Sequence, residues 1–504
     1  MAFLIHSKLR VGLLALAASL FLYFIYYYGR EPWTIKWVGT TAGSSDQTKQ
    51  TILWQHLQPL LEKYKPDCPS PTREKPAGAI SFNVTTLPER PDVVHLPEES
   101  RRIMERAHSG FVNSVRNSTD LKSFHIPGTS GLVSAAGASY LPLAVISVRM
   151  LRRTGSTLPV ELFLRDSSEY ESKICDNVLP SMNARCVVLT DIMRSRLGSS
   201  AAAKKIAHFQ LKIFAMLFSS FENVLWMDSD CFPLHDPALL LNSEPFVSKG
   251  LVMWPDFWAS TTSPLYYNIS GQPIPPMDAR QASETGVLMV SKKTHFLPLA
   301  LAAYYNYYGP SHYFMLLSQG GPGEGDKDTF LQACTAIGGD FYTVSESVKA
   351  IGHEKNNIRG TLSGSAMVQT DPIEDFSLTS QNIWRIREPS VAKPPRIFFV
   401  HAHYPKFNPG DKLFGYESET APTMKQDGTF GRAWVVPKDQ LQRFGYDAEK
   451  AYWEEIKWVS CNLEKEFKTW IEFDGICGAV ELYWSDVFED PREPTPSFTM
   501  VDRD

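Results

Sequence analysis

"NVLWMDSDCFPLHDP" (residues 223–237) passes from a short apolar run straight into two aspartates one residue apart. A strand buried on both faces reads as a continuous apolar run, and Val224, Leu225, Trp226 and Met227 read that way. Open α/β sheets bind ligands in the crevice beyond the carboxyl ends of their strands, so Asp228 and Asp230 are expected where a ligand sits. Buried carboxylates are costly without a cation or hydrogen-bond donors. Hard oxygen ligands suit Mn2+ or Mg2+, which keep open positions for phosphate oxygens. Turn formation and helix capping compete with that reading of the tripeptide taken alone.

Upstream, "GLVSAAG" (131–137) reads as a strand, followed by a helix over 140–153 and a second strand "LPVELFL" (158–164). A helix over 174–179, ended by Pro180, leads to a third strand, "RCVVLT" (185–190). The spacing of Phe214, Leu217, Phe218 and Phe221 predicts a helix over 201–221 with one buried face. Strands alternating with helices predict an α/β fold, a Rossmann-like, mostly parallel sheet covered on both sides, with Asp228 and Asp230 ending its fourth strand. No internal repeat interrupts this order.

The chain has 504 residues, 43% apolar and 21% charged, an ordinary globular composition long enough to bury a large core. A net charge of −5 offers nothing electrostatic to nucleic acid, and that class is set aside. Residues 11–28 carry no charge and roughly span the ~30 Å hydrocarbon core of a bilayer as a helix. Lys8 and Arg10 precede them, Arg30 is balanced by Glu31, and four tyrosines mark an interfacial belt. The expectation is a type II signal anchor, with 1–10 as cytoplasmic tail and the remainder lumenal. A cleaved signal peptide is the competing reading.

Proline and charge in 65–78 and 87–97 predict an extended stem over 29–120, with a helical turn around residues 98–107. The catalytic domain is placed at 121–410 and a C-terminal extension at 411–504, whose 451–477 stretch reads as an amphipathic helix. Asn83, Asn117 and Asn268 open glycosylation sequons, in keeping with lumenal exposure. Seven cysteines fit an oxidising compartment, and Cys175 with Cys186 and Cys461 with Cys477 are plausible local bridges.

An anchored lumenal chain, a parallel α/β pattern and Asp-x-Asp after the fourth strand together describe a nucleotide-sugar-dependent glycosyltransferase. Five blocks narrow this: residues 209–241, "GLVMWPDFW" (250–258), "ETGVLMVSKKTH" (284–295), "GDKDTFLQA" (325–333) and "FVHAHYPKFNPG" (399–410). In order and spacing they resemble the fungal Golgi mannosyltransferases of glycosyltransferase family 71, over about residues 120–410. The resemblance implies a GT-A-type fold, a GDP-mannose donor, Mn2+, a mannosylated glycan acceptor, and an α-linkage formed with retention, α-1,2 or α-1,3. It also implies a Golgi membrane location and a Golgi mannosyltransferase complex as partner. A non-catalytic lumenal lectin or assembly subunit is the alternative from a different class.

By the same resemblance His401 or His403, after the apolar "RIFFV", supplies a third metal ligand, with His401 preferred. Lys406 is placed to hold the diphosphate as a point charge, although exposed loop lysines are often idle. Lys212 resembles a basic residue that touches the donor; a solvated helix lysine is the plain alternative. Asp256, inside "WPDFW", can accept from sugar hydroxyls, or its tryptophans are simply core. Glu284 is expected near the acceptor. Asp326 and Asp328, after the glycine-rich "GGPGEG", are expected near the reacting carbon or as caps of the helix that starts there.

Overall fold

The computed structural model describes residues 44–86, 88–194, 206–354, 362–411, 413–414, 423–424 and 428–489. The expected cytoplasmic tail and anchor (1–28), the start of the stem and the last residues of the C-terminal extension lie outside these. Among the described residues no helix is long and apolar enough to cross a membrane.

Helix α1 (Ser44–Lys63) and, past a two-stranded ribbon of β1 (Thr72–Arg73) and β2 (Val94–His95), helix α2 (Glu98–Asn117) occupy the region expected to be an extended stem. The helical turn expected near residues 98–107 is thus a 20-residue helix. Its Met104, Ala107, His108, Phe111, Val112 and Val115 are buried along one face, and Phe111 stacks on Tyr304 at 4.6 Å. On α1, Trp54 packs edge-on against Phe214 and Phe218. Proline and charge between the helices hid two apolar faces that only a partner surface makes useful.

The central sheet begins with β3 (Ile126–Ala135), helix α3 (Leu141–Arg153), β4 (Val160–Leu164) and β5 (Ala184–Val188). The third strand is shorter than expected, since Leu189 starts a helical turn. Helix α4 (Gln210–Phe218) ends earlier than its apolar spacing suggested, because Phe221 opens β6 (Phe221–Met227), and 201–205 lie outside the described residues. The chain continues through β7 (Cys231–Pro233), β8 (Leu251–Ala259), β9 (Gln281–Ser291), helix α5 (Lys292–Tyr307), helix α6 (Thr329–Ile337) and β10 (Tyr342–Thr343). It closes with β11 (Lys349–Glu354), β12 (Leu362–Thr370), β13 (Ile397–Tyr404), and helices α7 (Ala448–Leu463) and α8 (Ile476–Trp484).

Seven strands form a mixed, mostly parallel sheet in the order β10-β8-β9-β6-β3-β4-β5, with β9 antiparallel to both neighbours. Side chains alternate between its two faces, and both faces are apolar. Leu225 and Met227 of β6, with Val287 and Met289 of β9, join a core formed with α3, α7 and α8. Val224 and Trp226, with Leu288 and Val290, join the opposite core formed with α1, α2, α4 and α5. A second, antiparallel sheet, β11-β12-β13-β7, lies on the α3 side. Helices α7 and α8 of the C-terminal extension join the core on this side, and the Cys461–Cys477 and Cys175–Cys186 bridges form. Asn83, Asn117 and Asn268 are all exposed.

One buried group makes the packing of α2 acid-sensitive. His108 is 4% exposed, lies within 2.8 Å of the Tyr305 hydroxyl, and burial lowers its pKa to about 4. A depressed histidine binds fewer protons folded than unfolded, so its contribution is complete above pH ~6.5 and is lost as pH falls toward 4. The expected loss is about 3 kcal/mol of folding stability across that window. Urea denaturation at pH 7 and pH 4.5 checks this, with His108→Phe expected to show a smaller drop.

Candidate active site

Two ladders carry the acidic pair to one place. Asp228 to Asp230 is the tight turn by which the chain leaves β6 in the large sheet and enters β7 in the small one, closed by Cys231 N–H to Asp228 O at 3.0 Å. In the small sheet Cys231 pairs with His401, and the Ala402 amide donates to Asp230 O at 2.9 Å, so the His401 ring faces Asp230. In the large sheet Met227 pairs with Val287, and the Asp228 amide donates to Gly286 O at 2.8 Å. That register brings Glu284 alongside.

Asp228, Asp230 and His401 each offer a ligand atom, all within 4.8 Å of one another. His403 is not in this cluster: its Nδ1 lies 3.2 Å from the His401 carbonyl. His401 Nε2 is 3.1 Å from Asp230 Oδ1, and its Nδ1 is 3.2 Å from Glu284 Oε1. Lys406 pairs with the other Asp230 oxygen while remaining 36% exposed at its side chain. Lys212 is buried against Asp228 Oδ1 at 3.1 Å and Asp326 Oδ2 at 3.3 Å, and donates to Thr285 O at 2.7 Å. It is therefore not the solvated helix lysine that its surroundings in sequence allowed. The Trp226 indole N–H also donates to Asp228 Oδ1, at 2.8 Å.

The electrostatics follow from this packing. Burial alone would raise Asp230, but His401 and Lys406 hold it well below the usual carboxylate range. Burial would lower His401, yet the facing Asp230 and Glu284 raise it to about 10. Burial would lower Lys212, but Asp228, Asp326 and Glu284 raise it. Asp326 is pushed up to about 6, burial outweighing the adjacent Lys212. Gly286 leaves room for the cluster: a Cβ there would lie 2.5 Å from His401 Nδ1 and 2.6 Å from Glu284 Oε1.

Asp256 and Asp328 lie to one side and do not touch the triad. Asp256 is paired with Lys327 at 2.7 Å. Asp328 occupies the position before α6, but its carboxylate accepts from the Ser283 amide at 3.1 Å and does not cap the helix. Trp254 of the "WPDFW" motif is core, its indole N–H on the Thr370 carbonyl at 2.8 Å. Sequence reasoning missed the partners that fix these groups, Trp226 for Asp228, Thr285 for Lys212 and Lys327 for Asp256. Adjacent charge marked Lys327; nothing in the sequence marked the others.

Fold and site together define an α/β domain whose strand ends converge on two aspartates and a histidine flanked by two lysines. The family model described as "Mannosyltransferase putative" matches residues 129–282 and 277–371, and that segment belongs to this family. Alpha-1,2-mannosyltransferase MNN21 of Candida albicans is 35% identical over 392 residues, 66% of this chain and 57% of that protein. Alpha-1,2-mannosyltransferase MNN5 of Saccharomyces cerevisiae is 31% identical over 329 residues, 54% of each chain. The chain thus spans about half the length of these curated relatives. Among solved structures, the glycosyltransferase GlyE of Streptococcus pneumoniae aligns over 66% of this chain and 64% of its own, at 12% identity and a TM-score of 0.31. At that score the likeness carries no argument, and the fold rests on the strand order above.

Proposed function

We propose that this chain transfers mannose from GDP-mannose to a mannose residue of a glycoprotein glycan, forming an α-1,2 linkage with retention, in the Golgi lumen. On this reading the domain is of the GT-A type and the chain a type II membrane protein. The observation that carries it is the convergence of Asp228, Asp230 and His401 beside Lys406 at the carboxyl end of β6. The α-1,2-mannosyltransferase names of the curated relatives support the sugar and the linkage.

Two carboxylates and an imidazole with ligand atoms within 4.8 Å fit Mn2+ (or Mg2+), near the span of two ligand bonds of about 2.1 Å. When bound there, the ion would supply Lewis-acid charge to a departing diphosphate. Ligation by His401 needs the neutral ring, so binding is coupled to loss of its proton. Glu284 accepts from Nδ1 and thereby orients Nε2 toward Asp230. Lys406, the exposed member, can swing from Asp230 to a phosphate oxygen as a point charge. Lys212 holds Asp228 and Asp326 in place from beneath. Asp326 and Asp256 offer carboxylate oxygens to sugar hydroxyls on the β9 side. Attack of the acceptor hydroxyl on the face that the diphosphate vacates retains configuration, with the leaving phosphate taking the proton.

The test is incubation of the chain with GDP-mannose and a mannose oligosaccharide, with Mn2+ or with EDTA, followed by linkage analysis. An α-1,2 product formed only with Mn2+ is expected. An α-1,3 product would correct the linkage alone, whereas an untouched donor under both conditions would turn the reading to a lectin or assembly subunit.

A further inference from the structure

Glu169 takes no part in the site above, yet it stands at the same rim. Gly137 follows the end of β3, and a Cβ on it would lie 2.3 Å from the Glu169 carboxyl carbon, so that carboxylate rests flat against the glycine. Its Oε2 accepts from the Arg165 amide at 2.8 Å, while Oε1 lies 3.8 Å from the Arg165 guanidinium. The turn that carries Glu169 is latched from outside: Lys468 Nζ donates to the Ser168 and Tyr170 carbonyls at 2.9 and 3.0 Å. The C-terminal extension thus holds this carboxylate in position.

Contacts link it to the acidic pair. The Tyr140 amide donates to Gly137 O at 3.1 Å, the Tyr140 ring is 45% exposed, Lys406 Nζ lies 5.7 Å from that ring, and Lys406 pairs with Asp230. Successive strands β3, β4 and β5 run outward on one side of β3 while β6 lies on the other, so the switch point of the sheet falls between β3 and β6. Two strand spacings, about 10 Å, separate the end of β4 from the end of β6. A nucleoside diphosphate with its phosphates at Asp228 and Asp230 would span that gap and bring its base over Gly137 and Tyr140.

Resting on the proposed nucleotide-sugar reading of the site, we propose that Glu169 is the residue that selects the donor's base, its carboxylate accepting from N1–H and the 2-amino group of guanine. An ionised carboxylate only accepts, and paired charge-assisted bonds are strong and directional. Guanine presents two adjacent donors on that edge. Uracil presents one donor between two carbonyls, and adenine an unprotonated ring nitrogen beside its amino group, so both set lone pairs against the carboxylate. Tyr140 supplies an exposed ring face at the same rim.

The experiment is equilibrium binding of GDP, IDP and UDP, with Mn2+, to the full chain and to Glu169→Gln and Gly137→Ala. The wild-type chain is expected to bind GDP at least about tenfold more tightly than UDP, and more tightly than IDP, which lacks the 2-amino group. Glu169→Gln keeps an oxygen for the Arg165 amide, and should lose about tenfold for GDP, leave UDP unchanged and narrow the GDP–IDP gap. Gly137→Ala pushes the carboxylate away and should reproduce the loss specific to GDP. An intact GDP preference in Glu169→Gln, or equal losses for GDP and UDP, would overturn the assignment alone. Tighter UDP than GDP binding by the wild-type chain would overturn the proposed donor as well.

Discussion

Asp228→Ala is expected to cut the proposed mannosyl transfer on the order of 10²–10³-fold while leaving the fold in place. The carboxylate it removes is 30% exposed and accepts from Trp226 and Lys212, so its loss opens onto solvent and creates no sealed cavity. Lys212 keeps Asp326 and the Thr285 carbonyl, and Asp230 keeps His401 and Lys406. What disappears is one of the three convergent side chains and, on the proposed function, the charge that would face a diphosphate. Transfer rates and thermal unfolding, measured on one preparation, check the two halves. Wild-type turnover in a folded Asp228→Ala chain would defeat the proposed function.

Lys212→Met is expected to cost both activity and about 3–5 kcal/mol of stability, because it removes one partner from a buried cluster of opposite charges. Lys212 is 7% exposed, and its ammonium is the cation that Asp228 and Asp326 share. Without it Asp326, already raised to about 6, moves further up and takes a proton to avoid a buried bare charge. Methionine fills the aliphatic stem, so a packing defect is not the cause of the loss. Urea denaturation at pH 7 gives the number. A change under 1 kcal/mol would show that the cluster reorganises freely and that Lys212 does not hold Asp228.

Much of the site was legible in the chain because its groups sit beside strong local patterns. Asp228 and Asp230 follow an apolar run, His401 follows "RIFFV", and Asp326 and Asp328 lie between a glycine-rich turn and a helical stretch. Each pattern says where a strand or helix stops, and ligand crevices lie at strand ends. The partners were not legible. Lys212 and Thr285 are 73 residues apart, and Glu284 and His401 117. Such meetings depend on register between strands, where one residue of slip turns every side chain to the other face. The N-terminal helices were misjudged for a related reason: composition reports proline and charge, whereas burial of Trp54 and Phe111 depends on α4 and α5 being there to receive them.

The sequence by itself determined the alternating α/β order and the acidic pair at the end of β6, since each is written in residues close together along the chain; it offered the two cysteine bridges as plausible, and the structure closes them. The tertiary structure alone decided that His401 and not His403 joins Asp228 and Asp230, that Lys212 is buried beneath them, and that Glu169 rests on Gly137. The reason is geometric: two sheets meet at a three-residue turn, and which side chains converge there follows from pairings such as Cys231 with His401 and Met227 with Val287.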